Sequence, residues 1–201
     1  YNVKINKHDI GFMVSHEANE SVNSSLSGSR SGFVNNTIPE LSLGDSKTAT
    51  NNSSKGQWAM ESYFSRLNYT FDDKYIVQAA IRADGSENFS PDKRWGFFPS
   101  ASLAWRLGQE SFLKNVAWLD ELKLRVEAGL TGNQGWTQAY FSSLNAASTP
   151  WGTVYLTSNY SNPDFQWEQT KTYSIGFNFS ALKNRIQLEG DYYIKKTNDL
   201  I

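Results

Sequence analysis

From residue 58 onward the chain carries six runs in which large apolar and polar side chains alternate residue by residue. That period of two constrains the fold more than any other feature. Residues two apart on a strand share a face, so each alternating run predicts a strand with one apolar and one polar side. Tyr63, Leu67, Tyr69 and Phe71 oppose Arg66, Asn68 and Thr70. Tyr75, Val77, Ala79 and Ile81 oppose Lys74, Gln78 and Arg82. Trp95, Phe97, Ala101, Leu103 and Trp105 oppose Arg94, Ser100, Ser102 and Arg106. Leu122, Leu124, Val126 and Ala128 alternate with Lys123, Arg125 and Glu127. Tyr173, Ile175, Phe177 and Phe179 alternate with Thr172, Ser174 and Asn178, and Ile186, Leu188, Tyr192 and Ile194 with Arg185, Gln187, Glu189 and Asp191. A weaker run, with Ile10, Phe12 and Val14, lies within residues 2–16. The pattern predicts about seven strands, near 2–16, 58–72, 74–84, 94–107, 121–131, 166–180 and 185–196.

The connections between these strands sort by length. Tight turns are expected at Asp72-Asp73 and Leu182-Lys183-Asn184, and a modest segment at 108–120, whereas 17–57, 85–93 and 132–165 are longer. In an up-and-down meander the shorter connections all fall at one end and the longer ones at the other. Outer-membrane barrels have that asymmetry, with short periplasmic turns and long extracellular loops. A sandwich of two soluble sheets alternates equally well but has no reason to sort loops. The apolar parity is also rich in Tyr and Trp toward strand ends, where a bilayer interface accepts a ring with one apolar side and one wet tip. The polar parity carries full charges of both signs at strand centres, as in Arg125 with Glu127 and Glu189 with Asp191, which a water-filled lumen accommodates. Ten residues at about 3.3 Å each, tilted by about 40°, span close to 25 Å, the height of a barrel's apolar band. About seven strands do not close such a barrel, so further strands are expected from elsewhere.

Composition excludes several classes. A net charge of −1 offers no general basic face for nucleic acid, and the absence of cysteine removes disulfide frameworks and thiolate metal sites. No apolar run approaches the length of a membrane-spanning helix.

The run LNYTFDDKYIVQAAIRADGSENFSPDKRWGFFPSASLAWRL at 67–107 resembles the SusC/RagA-like TonB-dependent transporters. LKLRVEAGLTGNQG at 122–135 and NPDFQWEQTKTYSIGFNFSALKNRIQLEGDYYIKKTNDLI at 162–201 are similar to the same family, in the same order. The joint pattern of RADGS, RWGFFPS, TGNQ and DYYxKKTxDL carries the resemblance. It implies an all-β fold: antiparallel up-and-down strands forming part, roughly a third, of a transmembrane barrel of about 22 strands. It implies the outer membrane of a Gram-negative bacterium, contact with membrane lipid, and import of oligosaccharides or peptides. It also implies a SusD-like surface lipoprotein as lid, and a TonB complex engaged through an amino-terminal part. No plug domain and no TonB motif are recognisable in residues 1–201, which read as a barrel segment with long loops 17–57 and 132–165 on the extracellular side.

No catalytic constellation is expected. Ser15 and His16 are strand neighbours and point to opposite faces, and His8 and His16 are too sparse for a metal site. Asp84-Gly85-Ser86-Glu87-Asn88 lacks the spacing of a calcium loop and reads as a hairpin connection. No cofactor is implied. Residues 17–57, rich in Asn, Ser, Gly and Thr, read as a mobile loop. Segment 132–165 differs, because Trp136, Tyr140, Trp151, Tyr155 and Tyr160 stand among polar residues. Such rings stack on sugars and anchor interfaces, and these five are the candidates for contact with a ligand or lid. The alternative is that they fold the loop onto itself or continue a strand. The competing functional reading is a soluble or surface β-domain that binds carbohydrate through exposed aromatics.

Overall fold

The computed structural model describes residues 1–35, 37–38, 40–135 and 140–198. Among the described residues ten strands run in order: β1 (Asn2–Ile5), β2 (His8–Ser29), β3 (Thr50–Phe71), β4 (Tyr75–Ser86), β5 (Trp95–Arg106), β6 (Leu119–Asn133), β7 (Ser143–Thr149), β8 (Gly152–Asn159), β9 (Glu168–Ala181) and β10 (Ile186–Asn198). Eight form one sheet in the order β1-β2-β3-β4-β5-β6-β9-β10, and β7 and β8 pair separately as a hairpin inserted between β6 and β9. The only helical pieces among the described residues are short 3₁₀ turns at Leu41–Leu43, Ser46–Thr48 and Leu107–Gln109. None is long and apolar enough to cross a membrane.

The sheet is the up-and-down antiparallel meander that the alternation predicts. Its register lines up whole rows of like chemistry. Leu67, Ala79, Ala101, Ala128, Tyr173 and Ile194 lie opposite one another across β3, β4, β5, β6, β9 and β10. One residue along, Asn68, Gln78, Ser102, Glu127, Ser174 and Tyr193 form a row on the other face. A slip of one residue anywhere would exchange the two faces, so the pattern itself fixes the register. The apolar face packs against no second sheet: Leu103, Phe97, Ile175 and Leu188 are all more than half exposed. A sandwich would bury that face against another sheet.

The strand count exceeds the sequence expectation by three. The stretch read as a single strand over 2–16 is a β1–β2 hairpin, reversed at Asn6 and Lys7, with Asn6 in the left-handed region at φ 53°. The loop expected over 17–57 is shorter, because β2 and β3 each run 22 residues and leave 30–49 as the connection. Within 132–165, β7 and β8 form the hairpin of the insertion.

The chain divides into two compact units, residues 1–18 with 60–201 and residues 19–59. In the smaller unit, hydroxyls form a ladder: Ser25 Oγ lies 2.7 Å from Ser54 Oγ, and Ser29 Oγ lies 2.7 Å from Thr50 Oγ1. Asp45 caps the second 3₁₀ turn, its carboxylate accepting from the Lys47 N–H at 2.9 Å.

In the larger unit, short turns close one end of the sheet. Asp72 and Asp73 both have positive φ, at 50° and 54°, the combination that a tight turn matched to strand twist demands. Lys74 N–H closes it on the Phe71 carbonyl at 3.0 Å. Leu182, Lys183 and Asn184 reverse β9 into β10, all left-handed at φ 57–60°. Neighbouring turns are stitched together: Asp72 N–H donates to the Lys7 carbonyl at 2.7 Å, and Leu182 N–H to the Trp118 carbonyl at 2.8 Å. The buried core lies at the opposite end, where Phe89, Phe98, Phe165 and Trp167 cluster with Met60 and Leu130.

Candidate functional site

The aromatic insertion between β6 and β9 is the candidate site. Its base is built first, from residues that the fold brings in from four places. Phe98 of β5 stands on the polar face, where its ring fits because Gly96 and Gly132 flank it. A Cβ placed on Gly132 would come within 2.0 Å of that ring, and one on Gly96 within 2.4 Å. Trp167 meets Phe98 edge-on at 5.4 Å, and Phe89 lies against Trp167 at 4.9 Å and Phe165 at 5.1 Å. The indole N–H of Trp167 donates to the Arg94 carbonyl at 2.9 Å, so the buried ring leaves no polar atom unpaired. Fully buried Ser86 donates its hydroxyl to Gln134 Oε1 at 2.7 Å and accepts from the Asn88 N–H at 3.2 Å. Gln134 begins the insertion and Phe165 to Trp167 end it.

Beyond this base the β7–β8 hairpin is paired to itself, with Ala146 opposite Tyr155 and Ala147 opposite Val154. Its neck is closed by side chains. Asn159 Oδ1 accepts from Ser143 N–H at 2.6 Å, and Ser142 Oγ accepts from Ser161 N–H at 3.2 Å. Trp151, in the hairpin turn, is 93% exposed and Tyr160 is 89% exposed. Tyr155 lies on β8 and is also exposed, and Tyr140 is half-buried with its ring edge-on to Phe141 at 5.0 Å. Trp136 lies outside the described residues. Three of the five sequence candidates thus present their rings to solvent on one insertion. The residues that seat the insertion, Phe89, Phe98, Phe165 and Trp167, were not anticipated.

The polar face carries two charge clusters. Near the base, Arg82 Nε donates to both carboxylate oxygens of buried Asp84, at 2.7 and 2.8 Å, and Arg82 Nη2 donates to Ser62 Oγ at 3.0 Å. Farther along, Arg125 of β6 reaches across β9 to β10, donating to Glu189 at 2.8 Å and Asp191 at 2.9 Å. The strand between them offers Gly176 at the crossing, where a Cβ would stand 2.0 Å from Asp191 Oδ1. Arg82 matches the charge of Asp84, and Arg125 offsets one of the two charges of Glu189 and Asp191; no cluster of three or more metal-ligating side chains occurs among the described residues.

The apolar face ends in two aromatic rows. At the end with short turns, Phe71, Tyr75 and Trp105 stack in sequence at 6.3 and 6.2 Å. Their polar tips converge on Glu110, which accepts from Tyr75 Oη at 2.8 Å and Trp105 Nε1 at 3.0 Å and pairs with Lys74 at 3.4 Å. The Tyr75 hydroxyl first, and then the Trp105 indole, hold the Glu110 carboxyl below its ordinary pKa. At the other end, His16 stacks on Tyr63 at 4.7 Å and Tyr63 stands 6.0 Å from Trp95. Glu61 gathers those tips, from Tyr63 Oη at 2.6 Å and His16 Nε2 at 3.0 Å. Trp95 and Trp105 are ten residues apart on β5. At about 3.3 Å per residue and a tilt of about 40°, the rows are about 25 Å apart along a barrel axis.

Residues 3–201 match the family of TonB dependent receptor-like β-barrels. The chain belongs to that family. It is 39% identical to the TonB-dependent receptor SusC of Bacteroides thetaiotaomicron over 149 residues, 70% of this chain and 15% of that protein. It is 32% identical to a TonB-dependent receptor of Formosa agariphila over 208 residues, covering all of this chain and 21% of that protein. Among solved structures it superposes on the RagAB peptide transporter with a TM-score of 0.92 at 28% identity, covering 100% of this chain and 23% of that one. The RagAB peptide importer in its open-open state gives a TM-score of 0.88 at 26% identity. The chain therefore spans about a fifth of the length of the relatives it matches. The resemblance drawn from the motifs is borne out: this is part of an up-and-down barrel of SusC/RagA type, from a family of transporters and receptors of the outer membrane.

Proposed function

We propose that the full-length protein is an energy-coupled outer-membrane importer of oligosaccharides or peptides, and that these residues supply barrel wall and an extracellular aromatic hairpin. The observation that carries the reading is the pair of aromatic rows bounding one continuous apolar face. That face suits lipid, and the charged and hydroxylated face suits a wet lumen. Import needs no bond to be made or broken in this wall. The work comes through the TonB complex, and a SusD-like lipoprotein acts as lid over the extracellular end. The peptide class has a similar solved structure, the RagAB peptide transporter.

In this reading residues 17–57 and 132–165 are extracellular, and Asp72-Asp73 and Lys183-Asn184 periplasmic. Trp151, Tyr155 and Tyr160, with Trp136 and Tyr140, offer stiff contact area to ligand or lid at low entropic cost. The test is uptake of maltoheptaose and of a fluorescein-labelled decapeptide by cells carrying the full-length protein, before and after joint Trp151→Ala and Tyr155→Ala substitution. Loss of uptake at unchanged protein level supports the reading. Unchanged uptake of a probe that the parent protein carries reduces these rings to loop packing.

A further inference from the structure

The hairpin and its base are joined in a way that the import reading leaves unused. The segment entering the insertion is held at Gln134 by the buried Ser86 hydroxyl. The segment leaving it is held at Phe165 and Trp167, which are 4% and 5% exposed. Phe165 and Trp167 belong to one buried cluster, whose other members, Phe89 and Phe98, come from the β4–β5 connection and from β5, and Ser86 ends β4 at the start of that connection. Below the cluster the sheet resumes at once, with Asn133 opposite Glu168 and Asn133 Nδ2 donating to Glu168 Oε2 at 3.2 Å. Above it the hairpin is paired to itself. Its Leu144, Leu156 and Tyr155 side chains are all more than half exposed. An isolated two-stranded hairpin is marginal in water, so its direction must be set by whatever grips its feet.

We propose that Trp167, Phe98 and Ser86 are positioning residues for the aromatic hairpin: they fix both of its feet and thereby aim Trp151 and Tyr155, without touching ligand or lid themselves. This rests on the proposed role of those rings. Trp167 is the hinge pin, because it alone combines ring packing on Phe98 and Phe89 with a hydrogen bond to the backbone of the β4–β5 connection. Phe98 is the seat, held from two sides by glycines that leave it one place to be. The arrangement lets a polar, exposed hairpin change its own sequence freely while its aim is kept by residues on the sheet.

The experiment places a nitroxide spin label at Thr153 of the full-length protein in detergent micelles and compares Trp167→Ala, Trp167→Phe and Ser86→Ala with the parent. Trp167→Ala is expected to raise the label's mobility at least two-fold. Trp167→Phe, which keeps the ring and loses the indole N–H, is expected to restore most of the order, and Ser86→Ala to fall between them. Heat-shifted electrophoretic mobility confirms that each barrel is folded, and Gly132→Ala, which displaces Phe98 without altering the hairpin, repeats the test should Trp167→Ala not assemble. A label equally mobile in the parent and in the folded variants overturns the proposal. Uptake is read separately: if Trp151→Ala with Tyr155→Ala leaves it unchanged while Trp167→Ala still frees the label, the positioning stands and the import role of the rings falls.

Discussion

The two ends of the sheet are held by different physics. At the end with short turns there is almost no buried apolar core. Left-handed Asp, Leu, Lys and Asn residues make the reversals, and Lys7, Asp72, Lys74 and Glu110 form a chain of ion pairs across three consecutive turns. At the other end the connections are long, and one small cluster of four buried aromatic rings does the holding. Surface ion pairs contribute little each but hold geometry over many partners, whereas a buried ring stabilises by several kcal/mol and fails as a unit. One end is thus cheap to vary residue by residue, and the other depends on a few positions while its outer loops vary.

The largest expected effect breaks the loop end. Phe98→Ala removes a ring that is 7% exposed and leaves a cavity bounded by Trp167, at a cost of about 3–5 kcal/mol. The loss is expected to be local. Hydrogen exchange should rise in 87–94 and 162–167 and stay unchanged at Asp72 to Lys74. Equal acceleration at both ends would show that they are one cooperative unit and that the contrast is false.

Between the ends lies the apolar face, and Leu103 tests what covers it. Leu103 stands opposite Val77 and Val126, on the apolar face of β5 two residues inside Trp105 of the turn-end row and eight from Trp95 of the other. Leu103→Arg is expected to cost about 1–2 kcal/mol in a bilayer if that face meets lipid, between the larger midplane cost and the near-zero cost at an interface. Urea unfolding of the full-length barrel in lipid vesicles measures it. A cost below about 0.5 kcal/mol, the usual size for an innocuous surface change, would place Leu103 in water.

The same contrast decides what could be read from the sequence. Strands β4, β5, β6, β9 and β10 were legible because each has one apolar and one polar face. The outer parts of β2 and β3 were not, because Ser25, Ser29, Thr50 and Ser54 make both faces polar and hide the period. The β1–β2 reversal was missed because only Val3 and Ile5 stand before the turn, too few to show that their parity is opposite to that of Ile10 and Phe12 beyond Asn6 and Lys7. Phe89, Phe165 and Trp167 lie in irregular segments, where no periodicity marks burial. One signal was available: Phe98 is a large aromatic on the polar parity of its strand, with Gly96 two residues before it and Gly132 in the exit of another strand. An aromatic on the wrong face beside glycines points to a partner arriving from outside the sheet. The candidate rings were legible as types, but their exposure depended on a hairpin whose neck is set by Asn159, Ser142 and Ser143.

A smaller effect sharpens the picture of the turn end. Leu182 holds φ 57°, a conformation that costs a residue with a Cβ about 1–2 kcal/mol and a glycine almost nothing. Leu182→Gly is expected to stabilise the β9–β10 reversal by up to about 1 kcal/mol, after the greater freedom that glycine brings to the unfolded chain. Urea unfolding again reads it. A loss instead of a gain would mean that the half-exposed Leu182 side chain contributes contact that outweighs the strain.

The smallest effect is a dependence on pH that only the turn end should show. Glu110 lies outside the strands, and its carboxylate accepts from the Tyr75 hydroxyl and the Trp105 indole and pairs with Lys74. These partners favour the charged form and lower its pKa from the ordinary 4.5. A group depressed in the folded state contributes stability that is present above the unfolded pKa and is lost as pH falls through the lower folded value. The turn end should therefore hold at neutral pH and loosen on acidification below about 4.5, whereas the aromatic cluster at the loop end, which contains no titratable group, should not respond. Glu110→Gln should loosen the turn end at neutral pH and flatten its acid response. The readout is the exchange of the Arg106 amide, which donates to the Lys74 carbonyl at 2.8 Å beside this carboxylate. If acid loosens the cluster at Trp167 as much as it loosens Arg106, the two ends are coupled through the strands and Glu110 is not the group that responds.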